Sequence, residues 1–154
     1  MQKPIIIVGA GPVGLTLALL LHKIGIPVEI YEAVEAVKPL GVGINLLPHS
    51  VRVLVELGLK DQLDSIGVRT SALHYYNKFG QLIWAEARGI DAGYEHPQFS
   101  VHRGEFQMML LAETQKRLGD ETLKTGLKLI DWKDTTDGVS VRFLNQAEDE
   151  ILVE

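Results

Sequence analysis

The residues of this sequence with the most recognisable chemistry are three glycines in the segment Gly9-Ala10-Gly11-Pro12-Val13-Gly14. In a GxGxxG turn, the first glycine permits a tight turn, the second lets the backbone approach a pyrophosphate, and the third lets a helix pack against a strand. Glu32 follows about 20 residues later, where a carboxylate accepts bonds from a ribose diol and repels a 2′-phosphate. The pattern predicts a dinucleotide-binding turn and disfavours NADP there.

The elements around these glycines are predicted to form one βαβ unit. Ile5-Ile6-Ile7-Val8 is an apolar run typical of a parallel strand covered on both faces. A helix should follow at once and stop at Gly25, and its start would favour an anion. A second apolar strand, residues 28–31, ends just before Glu32. The predicted apolar stripe of the helix comprises Val13, Leu17, Leu20 and Leu21.

The composition of the chain excludes several classes of site and argues against some partners. With 154 residues the chain can form one domain, and its lack of cysteine excludes disulfides, iron–sulfur clusters and thiol catalysis. A net charge of −5 argues against nucleic acid or an anionic membrane as partner. The N-terminus has no signal-peptide pattern and no apolar run is long enough to span a bilayer, so a cytoplasmic location is the default expectation. No metal site and no catalytic acid or base is predicted.

The rest of the chain alternates glycine-rich loops with regular elements. Residues 33–48 are predicted to form a long loop, in which Gly41 and Gly43 would let the backbone lie against a flat ligand. Helices are predicted over residues 49–57, 59–65 and 103–118, the last opened by Arg103, whose guanidinium could bind phosphate or carbonyl oxygens.

Strands dominate the remaining segments. Strands over residues 68–76 and 81–86 are predicted to form a hairpin, followed by a loop over 88–98, and short strands from residue 122 onward suggest an antiparallel meander. The aromatic residues of the hairpin could line a substrate cavity or simply pack the sheet: Tyr75, Tyr76, Phe79 and Trp84.

Several strings together give the chain a family resemblance. The glycine turn, Glu32, Gly41-Val42-Gly43-Ile44 followed by Pro48, and Arg103 at a helix start resemble the single-component FAD monooxygenases of the para-hydroxybenzoate hydroxylase type. Three strings resemble the phenazine-hydroxylating branch: Pro39-Leu40-Gly41-Val42-Gly43-Ile44-Asn45, Arg88-Gly89-Ile90-Asp91-Ala92-Gly93 and Ser100-Val101-His102-Arg103-Gly104-Glu105-Phe106-Gln107.

The resemblance implies a set of FAD-binding residues. The glycine turn would hold the pyrophosphate, Glu32 the adenosine ribose, and Lys38 stands near a basic position that approaches the cofactor. Gly43 and Ile44 would lie beside the isoalloxazine, and Arg103 would contact the ribityl and pyrophosphate region. The full set of candidates is Gly9, Ala10, Gly11, Pro12, Val13, Gly14, Glu32, Ala33, Lys38, Gly43, Ile44, Arg103 and Leu127, the last near adenine.

The resemblance also implies an activity. NADH or NADPH would reduce FAD, and a flavin C4a-hydroperoxide would hydroxylate a small aromatic substrate such as a phenazine. The implied fold is α/β: a Rossmann-like FAD-binding βαβ domain with a parallel sheet, plus an antiparallel hairpin and meander.

The resemblance also implies two motifs farther along the chain, an Asp-Gly on a central strand and a Gly-Asp whose aspartate binds the ribityl chain, and neither of these two motifs is found here. Residues 1–154 would therefore be the N-terminal part of the FAD-binding domain, incomplete relative to the family, with residues 68–100 a piece of the substrate-side β subdomain. Such a chain is not expected to be active alone, and its exposed sheet edge would favour self-association.

Two alternatives stay open. One is a non-catalytic or truncated FAD-binding module. The other is an NAD-dependent dehydrogenase built on the same βαβ unit, although the segment from Gly41 to Pro48 and Arg103 favour FAD.

Overall fold

A computed structural model describes residues 3–154 of the chain, which form two units. The first unit comprises the described residues up to Lys38 together with Leu110–Glu154, and the second is Pro39–Met109. The elements in chain order are β1 (Ile5–Val8), α1 (Pro12–Lys23), β2 (Val28–Tyr31), β3 (Gly43–Leu46), α2 (Pro48–Glu56), α3 (Lys60–Ile66), β4 (Gly67–Thr70), β5 (Ala72–Tyr76), β6 (Leu82–Ala87), β7 (Gln98–His102), α4 (Arg103–Leu118), β8 (Leu123–Lys124), β9 (Lys128–Thr135), β10 (Gly138–Leu144) and β11 (Glu150–Val153).

The first unit contains the predicted βαβ unit. Strands β1 and β2 are parallel, with Ile7 opposite Ile30, and β8 adds a third parallel strand beside β2. The expectation that β1 is covered on both faces is wrong for this chain. β1 lies at the edge of the sheet, so that Ile5 is 42% and Val8 49% exposed.

Helix α1 has the predicted bounds but a different buried face. Pro12 occupies its first turn, and Gly25 has a φ of +76°, which suits the chain reversal after the helix. The buried residues are Leu15, Ala18 and Leu19, whereas Val13 is 83% exposed and Leu17 is exposed as well. The predicted stripe is wrong because the helix is apolar on more than one side, and its sequence alone does not reveal which side meets the sheet.

The C-terminal strands of the first unit form a small core. Strands β9, β10 and β11 make the predicted antiparallel meander, whereas β8, expected to belong with them, joins the parallel sheet instead. The rings of Tyr31 and Phe143 stack with centroids 4.4 Å apart and are buried together with Val141. This packing ties β2 to the meander.

The second unit contains a three-stranded antiparallel sheet in the order β3, β7, β4 and a separate hairpin of β5 and β6. The predicted loop over residues 33–48 therefore contains a strand, and the predicted strand 68–76 is divided, because β4 pairs with β7 while only β5 joins the hairpin. The hairpin aromatics are exposed, with Tyr75 at 54% and Trp84 at 56%, so they do not pack a sheet core within the described chain.

Candidate nucleotide-binding site

The turn from β1 into α1 is held by its glycines. Gly9 adopts a φ of +101°, and its N–H donates to the carbonyl of Tyr31 at 2.8 Å, which fixes the turn to the end of β2. A Cβ on Gly14 would lie 2.1 Å from the carbonyl oxygen of Gly9 and 3.3 Å from Ile7. Helix and turn therefore touch at Gly14, and no side chain fits between them.

The start of α1 has the properties of an anion site. A Cβ on Gly11 would meet nothing within 4 Å, so the backbone there is open to a ligand. The first turn of the helix contains no acidic residue. The N–H of Leu15 donates to the carbonyl of Gly11 at 3.0 Å, so the N–H groups of Val13 and Gly14 precede this first intrahelical bond. Such groups, with the helix dipole, attract phosphate.

Glu32 lies at this turn and bonds to it. Its Oε2 accepts a hydrogen bond from the N–H of Ala10 at 2.7 Å, and its Oε1 accepts one from the N–H of Val34 at 3.0 Å. Ala10 has no exposed surface, so its part in the site is to hold the Glu32 carboxylate through this hydrogen bond. Each carboxylate oxygen retains a second lone pair, which a ribose hydroxyl could use.

The structure brings most of the predicted first-unit residues together. The N–H of Leu127 donates to the carbonyl of Glu32 at 2.9 Å, and the N–H of Gly126 donates to the carbonyl of Val34 at 3.0 Å. Leu127 thus lies beside Glu32 and the exposed Ala33. Lys38 is exposed at the end of this unit, and no described residue bonds its ammonium group.

The remaining candidates form a second cluster, in the second unit. Gly43 and Ile44 are opposite His102 and Val101 in the β3–β7 pair, so they lie in a strand rather than in the predicted loop. The N–H of Arg103 donates to the carbonyl of Val42 at 3.0 Å. The Arg103 guanidinium has no bonding partner within residues 3–154 and is free to bind an anion.

Two further glycines shape this cluster: Gly41, expected from the sequence to let the backbone lie against a flat ligand, and Gly104, which the sequence analysis missed. Gly41 has a φ of +136°, and a Cβ there would lie 3.2 Å from the Cβ of Arg103. A Cβ on Gly104 would lie 2.3 Å from the backbone carbon of Pro39, so the loop crosses directly over the first turn of α4. Glycine inside a helix lowers the stability of the helix relative to alanine. A glycine at position 104 of a predicted helix could therefore have indicated that another segment packs closely there.

A charged cluster lies on β2, the strand that ends just before Glu32. The Tyr31 hydroxyl donates to Glu29 Oε2 at 2.5 Å, and Lys124 Nζ lies 2.9 Å from Glu29 Oε1. The hydrogen bond from Tyr31 and the Lys124 ammonium hold the pKa of Glu29 below its ordinary value. Burial and the hydrogen bond to Glu29 raise the pKa of Tyr31. Burial opposes the charged form of Lys124, but its bonds to Glu29 and to the Tyr31 hydroxyl oxygen, 3.1 Å from Nζ, raise the pKa of Lys124 overall.

Two other kinds of site were sought in residues 3–154. Within this part of the chain, no group of three or more histidine, aspartate or glutamate side chains is arranged to hold a metal ion. None of its helices is long and apolar enough to cross a membrane.

Comparison with known families decides which nucleotide-binding class the turn belongs to. The family described as "FAD binding domain" matches residues 2–153. The chain belongs to this family. The chain is 44% identical over 141 residues to phenazine 1,6-dicarboxylic acid hydroxylase PhzS of Lysobacter antibioticus, covering 91% of this chain and 35% of that protein. It is 34% identical over 115 residues to 3-amino-4-hydroxybenzoate 2-monooxygenase of Streptomyces cremeus, covering 69% of this chain and 28% of that protein.

Solved structures agree on the fold. The chain superposes on p-nitrophenol 4-monooxygenase PnpA from Pseudomonas putida DLL-E4 with a TM-score of 0.85 at 22% identity, covering 98% of this chain and 38% of that one. Its TM-score against Klebsiella pneumoniae HpxO, complexed with FAD and uric acid, is 0.73 at 22% identity, covering 99% and 37%. At such identities the likeness establishes the α/β fold alone. The chain spans about a third of the length of these relatives.

Proposed function

We propose that this chain binds FAD, as the FAD-binding part of a single-component monooxygenase that acts on small aromatic compounds. The observation that carries the proposal is the position of Glu32, whose carboxylate is bonded at 2.7 Å to the N–H of Ala10 in the glycine turn. A ribose acceptor and an open helix start are thereby adjacent, which is what an adenine dinucleotide requires. The family match favours FAD over a nicotinamide dinucleotide.

Each candidate residue has a role that suits its own surroundings. The N–H groups of Val13 and Gly14 would bind the pyrophosphate, while Gly9, Gly11 and Pro12 shape the turn. Glu32 would accept from the ribose, with Ala33 and Leu127 lying beside the adenine. Lys38 adds a cation for phosphate.

In the second unit, Arg103 would bind the cofactor's oxygens, with Gly43 and Ile44 along the flavin.

The finer part of the proposal concerns the reaction of the whole protein. Bound FAD, reduced by NADH or NADPH, would supply the oxygen-activating chemistry for hydroxylation of an aromatic ring. The residues of this chain would bind and orient the cofactor rather than move protons. Residues 68–100 would belong to the substrate side. Support comes from relatives named for phenazine and aminohydroxybenzoate oxidation.

The test measures FAD binding by the chain itself through the change in flavin fluorescence. NAD⁺, the alternative ligand, is tested by its competition with FAD. Gly11→Val should lower FAD affinity by about tenfold or more, because its side chain occupies the open space where the phosphates approach. Ala147→Val, a substitution at an exposed turn residue between β10 and β11, is the matched control and should leave FAD affinity unchanged.

Glu32→Arg should also weaken binding, because it removes the ribose acceptor and adds a cation. Since this change also releases the N–H groups of Ala10 and Val34, thermal unfolding is measured alongside. Tighter binding of NAD⁺ than of FAD, or equal FAD affinity in the folded Gly11→Val variant, would contradict the assignment.

A further inference from the structure

The start of α4 carries Arg103, and two contacts from the loop before β3 hold its backbone. The Arg103 N–H donates to the carbonyl of Val42 at 3.0 Å. A Cβ on Gly104, the second residue of the helix, would lie 2.3 Å from the backbone carbon of Pro39. The place from which the Arg103 side chain leaves the backbone therefore depends on how the first turn of α4 is held.

A third contact comes from His102, the last residue of β7. Its Nδ1 accepts a hydrogen bond from the N–H of Glu105 at 3.3 Å. His102 directly precedes the helix, so this is the bond of an N-cap, which serine, threonine, aspartate or asparagine ordinarily makes. The spacing of three residues to Glu105 is that of a capping box. His102 thus satisfies one of the N–H groups that the first turn of a helix leaves without an intrahelical partner.

A histidine cap differs from the usual caps in its response to protons. An imidazole nitrogen accepts a hydrogen bond only while it carries no proton, and in the charged imidazolium both nitrogens are donors. A protonated His102 would present an N–H to the N–H of Glu105, so the cap would be lost. The side-chain oxygen of a serine or an asparagine keeps its acceptor when the pH falls.

The charged groups around His102 belong to α4. The strand β3, whose Gly43 lies opposite His102, carries no charged residue, and neither does the loop over residues 39–42. The charged neighbours on the helix are Arg103 and Glu105, both of them exposed. Protonation of His102 would therefore act on the start of α4 rather than on an ion pair with the neighbouring strand or loop.

We propose that His102 is a positioning residue for cofactor binding: its neutral imidazole caps α4 and thereby holds Arg103 where the guanidinium meets FAD. Loss of the acceptor, by substitution or by protonation, frays the first turn of the helix and lets Arg103 move, so FAD binding weakens. This inference rests on the proposed function, in which Arg103 binds the cofactor's oxygens. The role of His102 is indirect, because it acts through the helix.

The first experiment tests the cap in the chain without FAD. Amide hydrogen exchange at Glu105, followed by NMR, should be about fivefold faster in His102→Ala, because an N-cap replaced by alanine loses its bond. His102→Asn restores a side-chain acceptor and should return the exchange rate to that of the unaltered chain. An unchanged exchange rate in His102→Ala would overturn the proposal.

The affinity for FAD tests the positioning of Arg103. At about pH 8, His102→Ala should raise the Kd of FAD about fivefold, and His102→Asn should leave it near the value of the unaltered chain. Ala112→Gly is the matched control, because Ala112 is exposed in the same helix and glycine there weakens the helix about as much as a lost cap. The control should leave FAD affinity unchanged. Equal losses in His102→Ala and Ala112→Gly would overturn the proposal.

Acidification provides a readout that a merely structural residue would not alter. Between about pH 8 and about pH 5, the FAD affinity of the unaltered chain should fall about fivefold more than that of His102→Asn, whose amide does not titrate. Because all other titratable groups are the same in the two proteins, the difference reports on His102. An equal pH dependence in both would contradict the proposal. If His102→Ala does not fold, this comparison still decides the question.

Failure of this inference can be distinguished from failure of the proposed function. Absence of FAD binding by the unaltered chain would contradict both. Full FAD affinity in Arg103→Leu would remove the residue through which His102 acts and would overturn the inference, while leaving the assignment of Glu32 in place. FAD binding that is weakened by Arg103→Leu but not by His102→Ala would contradict the inference alone.

Discussion

At the scale of single residues, Gly14 is the position where the nucleotide turn is least tolerant of change. In Gly14→Ala the new Cβ would lie 2.1 Å from the carbonyl oxygen of Gly9, and this neighbour is backbone that cannot rotate away. The helix must then move from the turn. We expect a loss of roughly 1–3 kcal/mol in the free energy of unfolding, measured by urea denaturation.

Gly11→Ala is the matched control for that experiment. Its Cβ would meet nothing within 4 Å, and the φ of Gly11 is −73°, which alanine adopts readily. Its stability should therefore change much less than that of Gly14→Ala. Equal losses in the two variants would show that helix–turn packing at Gly14 is not what limits substitution.

At the scale of elements, the bonds among Glu29, Tyr31 and Lys124 join β2 to β8 and should make stability depend on pH. The pKa of Glu29 is lowered from its ordinary value of 4.5 by the hydrogen bond from Tyr31 and by Lys124. A carboxylate with a lowered folded-state pKa stabilises the fold above its unfolded-state pKa. That contribution is lost as the pH falls below about 4.5 and through the folded-state pKa.

Glu29→Gln tests this dependence. At about pH 7 the variant should lose on the order of 1 kcal/mol of unfolding free energy, a value discounted for the partial exposure of the group, and the loss should shrink at about pH 3. Asp134→Asn removes an exposed carboxylate that has no bonding partner in the described chain, and it should show little change at either pH. A loss from Glu29→Gln that stays constant between the two pH values would refute the linkage.

The elements of this fold differ in how well the sequence predicted them. The glycine turn, α1, β2 and α4 were predicted because their signals are local: a glycine required by backbone geometry, an apolar run, or a glycine just past a helix end. The strand β3 was not, since Gly43-Ile44-Asn45-Leu46 resembles a loop until it pairs with β7, far along the chain. β8 was predicted as a short strand, but its pairing was not, because its partner β2 is distant in the sequence.

In the candidate site, too, the features with local signals were predicted and those that depend on distant contacts were not. The glycines and Glu32 could be selected from spacing alone. That Glu32 bonds the turn itself, through Ala10, is a tertiary contact with no signature in the sequence. The cavity between α2 and the loop 88–98 is similar, because residues from these two segments meet only once the second unit has folded.

At the scale of the whole molecule, the feature with the largest consequence is the open edge of β1. A shallow apolar groove of about 480 Å³ runs along it, lined among others by Ile5, Val8, Val13 and Leu17, all of them exposed. An unpaired strand with an apolar flank is a template for pairing with another chain. We therefore predict that the chain self-associates through the β1 edge.

Light scattering coupled to size-exclusion chromatography tests this prediction. The chain should show a mass above its 17.0 kDa monomer mass that increases with protein concentration. Ile5→Lys should shift it toward the monomer, because a charged side chain at a sheet edge opposes strand pairing. Ile24→Lys places the same charge on another exposed apolar residue, 69% exposed and outside the groove, and should leave the mass unchanged. A 17.0 kDa monomer at every concentration, or equal dispersal by both variants, would show that the β1 edge does not drive association.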